Sequence, residues 1–225
     1  EKGLLSSKKI FMLIWKDIIP VASQHENVFL SDKLDHYLYE NQNHVRIKIP
    51  PAGFHQAIKA LSHFNASISH YKTQRDIPSI SATSQLSIFF KNGSLTVAQA
   101  VAYLGLDHAV LEENQEKYLA ELAWREFYYH IFYFFPDVEK NEFQEKYRGL
   151  QWENNPIYFE RWKNGETGFP IVDAGMRHLN TTGWMHNRVR MIVASFLVKD
   201  LLVDWRLGEQ YFMSRLLDGD LACNN

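Results

Sequence analysis

Residues 184–205 read WMHNRVRMIVASFLVKDLLVDW, and how this stretch folds decides the architecture of the chain. Its apolar residues recur at helical rather than alternating intervals, so it reads as one helix, Trp184–Trp205. On that helix Trp184, Asn187, Arg188 and Met191 share roughly one 100° sector. A core face would be uniformly apolar, and a solvated face would not keep Trp and Met together. A mixed stripe suits a cavity that takes a flat molecule with polar edges. Asn187 offers donor and acceptor to a base edge, and Arg188 reaches phosphates. A purely structural stripe is the competing reading.

Helical spacing continues outward on both sides. Phe54, Ala57, Ile58, Leu61 and Phe64 keep it, and a break follows at Arg75–Pro78. Thr83–Ser87 opens a short helix ending at Asn92-Gly93, and Ser94–Thr96 starts another that reaches Gly105. A long helix spans about Asn114–Phe135 and stops at Pro136. Gly149–Pro156 is a turn-rich link, and shorter helices follow at Pro156–Lys163, Val172–Leu179 and Gly208–Leu217. Strand-type alternation is nearly absent, so the expected fold is all-α, helix packed on helix. Upstream, Ile10–Ile19 reads as a short amphipathic helix, and Pro50-Pro51 imposes an extended connection. Residues 1–52 are therefore expected to be a linker or peripheral segment, and 53–225 the helical body.

Composition narrows the function classes. The 225 residues are 46% hydrophobic and 14% aromatic, enough for one sizeable core. The formal charge of −2 gives no global basic signature for nucleic acid, so a DNA-binding face must be local. The single cysteine, Cys223, excludes an internal disulfide and fits a reducing cytosol. The ten histidines show no metal-ligand spacing with Cys or acids, and no apolar run is long enough to cross a bilayer. Glu1 in place of an initiator Met, and a polar stop at Asn225, lead us to expect a longer parent protein.

Three further constellations bear chemistry. Tyr118, Glu121, Trp124 and Arg125 share one helical face, offering two rings, an acid and a guanidinium. The plain alternative there is a Glu121–Arg125 pair one turn apart. Asp218-Gly219-Asp220, followed by Asn224, lacks the spacing of a calcium loop. Its two carboxylates suit ring nitrogens of a ligand, or Arg190. Thr83–Ser87 caps a helix whose free amides can cradle a phosphate, with Tyr71 and Arg75 one turn apart just upstream.

GFPIVDAGMR at 168–177, TGWMHNRVRM at 182–191, ASFLVKD at 194–200 and DGDLACNN at 218–225 closely resemble the photolyase/cryptochrome flavin-binding domain. With LAWREFY at 122–128 and the Arg75–Ser87 stretch, the resemblance covers about residues 55–225 in one order. It implies a helical domain holding FAD beside a DNA-facing cavity, with an amino-terminal α/β antenna domain in the parent. By the same resemblance Tyr71 and Thr83, Ser84, Gln85, Leu86 and Ser87 would meet the flavin phosphates and ribityl chain. Trp184, Arg190, Asp218, Gly219, Asp220 and Asn224 would line the rest of the FAD pocket.

Glu121, Trp124, Asn187 and Met191 would face a flipped-out pyrimidine dimer, with Arg75, Arg125 and Arg188 near DNA. Trp205 and Trp152 match the middle and outer members of the tryptophan chain that reduces FAD in light, and Lys140 a position touching a folate antenna. The implied activity is splitting of cyclobutane pyrimidine dimers by excited, reduced FAD, in a monomeric cytoplasmic protein of bacterial type. The alternative within the family is a cryptochrome photoreceptor that binds FAD without repair. A helical DNA-binding module without flavin is the reading from another class. Tyr118 departs from the Trp of close bacterial relatives. The flavin-proximal Trp and a second substrate-stacking Trp are expected beyond Asn225, so the chain alone is expected to bind FAD poorly.

Overall fold

The computed structural model describes Ile47 and residues 49–224, so the expected helix at Ile10–Ile19 and nearly all of the 1–52 segment lie outside the described residues. Among them are ten α-helices and no strand. The chain begins with α1 (Phe54–Asn65), which buries Ala57, Leu61 and Phe64 on one face. A 3₁₀ turn (Ile68–His70) leads into α2 (Tyr71–Gln74), followed by α3 (Ser87–Lys91), α4 (Val97–Tyr103) and the long α5 (Glu113–Phe134). Reciprocal caps start two of these: Thr96 with Gln99 for α4, and Glu112 with Gln115 for α5. Leu61, Phe64, Leu86, Leu95, Leu104, Leu119 and Leu122 close the first core.

A second core forms around Trp162, which is wholly buried. Its helix, α6 (Pro156–Asn164), is capped by the Asn155 side chain, has Pro156 at its first position and ends on left-handed Gly165. The Trp162 indole donates to the Val193 carbonyl at 3.1 Å, and its ring stacks between Phe159 and Phe212. The other walls come from α7 (Pro170–Thr182), α8 (Asn187–Ser195) and α9 (Trp205–Arg215), with α10 (Leu221–Asn224) returning to α5.

The expected single helix over Trp184–Trp205 does not form. Trp184 and Met185 precede α8, and the His186 ring caps it by accepting the Arg188 amide at 3.1 Å. After Ser195 the helix widens into a π segment (Phe196–Asp200), and Leu202 turns with φ 49°. Trp205 then opens a new helix, capped by the Asp204 carboxylate at the Arg206 amide. Periodicity carried the expectation across this break because both helices and the bend between them bury apolar residues at compatible spacing. The two side-chain caps and the turn at Leu202 override it. The last long helix accordingly runs Trp205–Arg215 rather than Gly208–Leu217.

The end of α7 joins the second core to the chain's last loop. Gly183 adopts φ 70°, and its carbonyl accepts the Leu217 amide at 2.9 Å. A Cβ at Gly183 would lie 2.6 Å from Ile47 Cδ1 and 2.8 Å from Leu217 Cγ. Gly183→Ala is expected to cost about 1–3 kcal/mol, combining left-handed strain with a clash. Gly93→Ala, at φ 75° with nothing within 4 Å of its Cβ, isolates the strain and should cost less. Urea unfolding of the two variants checks the difference.

Candidate functional site

A cleft of about 260 Å³ lies between the two cores. Tyr71, Leu86, Tyr118 and Leu122 reach it from the first core, and Trp184–Arg188 and Arg190 from the second. Its floor is an ion pair. Arg190 Nη2 donates to both Asp218 oxygens, at 2.9 and 2.8 Å, while Nε donates to the Met185 carbonyl at 2.8 Å. The Asp218 side chain is 2% exposed. Ser87 Oγ donates to its Oδ2 at 2.5 Å, tying α3 to the far side of the cleft. Beside it, Asp220 accepts the Tyr129 hydroxyl, caps the Ala222 amide and lies 3.8 Å from Lys91 Nζ.

One lip is the segment Thr83–Ser87. Gln85 has φ 51°, flanked by right-handed Leu86, a backbone pattern that turns amides toward one point and favours an anion. The Ser84 hydroxyl holds this lip: it accepts the Leu86 amide at 3.4 Å and the Tyr118 hydroxyl at 3.1 Å. The Tyr118 ring is wedged among Phe64 and Tyr71, with centroids 4.6 and 5.1 Å away. Burial pushes the Tyr118 hydroxyl up to about 12, and that of Tyr71 well above the usual tyrosine range. Both phenols are therefore neutral donors at physiological pH.

The mouth carries charge. Glu121 is ion-paired with Arg75 and with Lys117, the latter at 3.1 Å. Burial pulls the Glu121 carboxyl upward, but the hydrogen bond and charge of Arg75, helped by Lys117, outweigh it and hold it below the ordinary range. Arg188 Nη2 donates to Asp76 Oδ1 at 2.7 Å, bridging the two sides, and that bond leads the causes that lower Asp76. The Glu121–Arg125 pair allowed by spacing does not form. Arg125 turns to Glu126 at 2.6 Å and to the Tyr129 hydroxyl at 3.1 Å.

The cleft gathers most of the residues singled out in the sequence: Tyr71, Arg75, Thr83–Ser87, Glu121, Arg125, Trp184, Asn187, Arg188, Arg190, Asp218 and Asp220. Others stand outside its lining. Trp124 is 52% exposed and groups with Phe127 and Tyr128. Met191 is also exposed, its sulfur taking a 3.7 Å contact from Arg188. Gly219 lies in the turn after Leu216, and Asn224 donates to the Glu209 carbonyl at 3.5 Å. Trp205 borders a second, apolar cavity of about 310 Å³ with Phe127, Phe132, Phe143 and Leu221. Trp152 is half-buried, and Lys140 contributes a carbonyl to Arg206.

Sequence reasoning missed Asp76, Lys91, Tyr129 and His186. Tyr129 stands one turn beyond Arg125, a signal that was present, whereas nothing in the sequence marks His186 as a cap. Among the described residues no group of His, Cys, Asp and Glu is placed to hold a metal ion.

The chain is similar to several known proteins. Residues 118–225 match the family described as the FAD binding domain of DNA photolyase. The deoxyribodipyrimidine photo-lyase of Salmonella typhimurium is 50% identical over 164 residues, 69% of this chain and 33% of that protein. That of Neurospora crassa is 45% identical over 182 residues, 78% of this chain and 30% of its own length. The chain thus spans about a third of the curated relatives it matches. Among solved structures, a class III photolyase from Agrobacterium tumefaciens superposes with TM-score 0.72 at 40% identity, over 76% of this chain and 36% of that one. A Synechocystis cryptochrome gives 0.70 at 31% identity, over 80% and 39%.

Two tests follow from the charges. Arg190→Gln leaves Asp218 buried without its cation and should cost about 3–5 kcal/mol in urea unfolding. Glu121 has a folded pKa below its unfolded value. Its ion pairs therefore stabilise the fold above the ordinary carboxylate value of 4.5 and are lost as pH falls through the lowered folded value. Glu121→Gln should thus be less stable at pH 7 and show a flatter loss of stability below pH 4.5, read by thermal melts across pH.

Proposed function

Because this chain belongs to the photolyase/cryptochrome family, through the FAD-binding helical domain, we propose that the whole protein repairs cyclobutane pyrimidine dimers in DNA with light. The observation that carries this reading is one cleft with two chemistries. A buried Arg190–Asp218 floor and the Ser84–Ser87 lip suit a cofactor, while Glu121, Asn187 and Arg188 at the mouth suit a nucleic-acid base and its phosphates.

The residues present fit FAD. Left-handed Gln85 and the first amides of α3 suit a pyrophosphate, and Trp184 and Phe90 offer apolar walls for a ring system. Arg190, fixed by Asp218, presents a donor toward a polar ring edge, with Asp218 and Asp220 lining that side of the pocket and Gly219 and Asn224 in the same segment outside the lining. Bound FAD, in its reduced form, supplies on illumination the electron that opens the cyclobutane ring and takes it back afterwards.

The chain's own residues prepare the lesion. Asn187 pairs with a base edge of a flipped-out dimer, and Trp124 and Met191 cover its apolar surface. Glu121, kept ionised by Arg75, steadies the opened pyrimidine through its base-edge hydrogens. Arg75, Arg125 and Arg188 neutralise DNA phosphates, so Arg188 exchanges Asp76 for phosphate when DNA arrives. Trp152 and Trp205 relay electrons that return oxidised flavin to its working state. A folate antenna near Lys140, a monomeric state and a cytosolic location complete the reading. No described helix is long and apolar enough to cross a membrane.

The test uses the full-length, flavin-loaded protein and an oligonucleotide with one thymine dimer. Light-dependent loss of the dimer is expected, with Glu121→Gln and Asn187→Ala each slowing repair by roughly tenfold or more while flavin content is retained. A yellow protein without repair would instead support the photoreceptor reading, which the cryptochrome similarity makes the natural second outcome.

A further inference from the structure

We propose that Glu142 governs how readily Trp205 gives up an electron, a positioning residue acting through the indole it holds. This rests on the reading of Trp205 and Trp152 as the electron path to the flavin.

Trp205 is the first residue of α9, and its indole sits between opposite charges. Its Nε1–H donates to Glu142 Oε1 at 3.3 Å, from a residue 63 positions earlier in the chain. The guanidinium of Arg206 lies over the ring, 4.7 Å from its centroid. Arg206 also donates to the same Glu142 oxygen at 3.1 Å, to Asp204 at 3.1 and 3.2 Å, and to the Lys140 carbonyl at 2.6 Å. The cation is thus pinned in place, with the carboxylate at the indole edge. Phe127, Phe132 and Phe143 line the adjoining cavity together with Trp205 and Glu142, and bring no charge of their own.

Loss of an electron leaves positive charge on the indole. A guanidinium over the ring raises the cost of that charge, and a carboxylate at the N–H lowers it. The Glu142 side chain is only 12% exposed, so its interaction with the ring is stronger than it would be in open water. The Glu142 carboxyl is held below the ordinary range by its own backbone amide, against burial, with help from the Trp205 indole and Arg206. It therefore stays charged at physiological pH. With Glu142 in place the two charges offset each other at Trp205. Without it, the guanidinium acts on the ring with only Asp204 to answer it.

The electron count is simple. Each photon moves one electron, which the flavin-proximal Trp expected of the whole protein gives up. Trp205 refills that Trp, Trp152 refills Trp205, and an external thiol restores Trp152. Two such rounds, with proton uptake from solvent, take oxidised flavin to its reduced form. The indole proton stays in its hydrogen bond to Glu142 throughout.

Glu142→Gln keeps an acceptor oxygen and removes the charge. In the full-length, flavin-loaded protein it should slow light-driven reduction of the flavin by roughly tenfold, the scale of one lost close-range charge interaction. Transient absorbance should show Trp205 oxidation delayed, and repair by protein reduced chemically beforehand should match the wild type. Glu142→Asp should restore part of the rate. In flavin-free protein, the ultraviolet resonance Raman band of the Trp205 indole N–H, identified by its loss in Trp205→Phe, should shift in Glu142→Gln. Wild-type photoreduction in Glu142→Gln, alongside loss of photoreduction in Trp205→Phe, overturns the role of Glu142 and leaves the path intact. Normal photoreduction in Trp205→Phe overturns the path itself, and with it this proposal.

Discussion

The ion pair of Arg190 with Asp218, one guanidinium nitrogen shared between both carboxylate oxygens, holds the two halves of the cleft in register. It joins α8 to the loop before α10, and through Ser87 it reaches α3 in the first core. Asp218 is almost without solvent, so these partners stand where water would otherwise solvate its carboxylate. An apolar pair of similar volume would pack as well. It would not fix the direction of a guanidinium at the cleft floor, nor bind a serine hydroxyl from the opposite core.

Around this pair the two cores are tied across the cleft by polar bonds. Tyr129 and Lys91 meet Asp220, and Arg188 meets Asp76. Such a boundary leaves room for a ligand between two well-packed bodies, whereas continuous apolar packing would have closed it. The ties differ in solvent access. Asp218 is sealed from solvent, while Asp76 and Arg188 are open to it.

The same economy governs the aromatic residues. Trp162 is spent on the core, with its indole satisfied by a backbone carbonyl. Trp184 walls the cleft, Trp124 stays half in solvent, and Trp205 is suspended between a carboxylate and a guanidinium. Ring type alone does not separate these roles; the burial and neighbours of each ring do.

Helical periodicity, proline and glycine punctuation and the absence of strand alternation determined the all-α class by sequence alone. They also located most element boundaries, because those signals are local and each residue carries its own. The motifs around Asn187, Arg190, Asp218 and Ser87 likewise marked their residues as one site through resemblance, before any distance was known. Tertiary structure alone decided the break of 184–205 into two helices, since a His186 cap and an Asp204 cap compete with propensity only once the flanking chain is folded back. It alone chose Arg75 over Arg125 as the partner of Glu121, and Glu142 as the partner of Trp205. Those pairings depend on which segments, distant in sequence, come within a few ångströms, and local patterning holds no information about that.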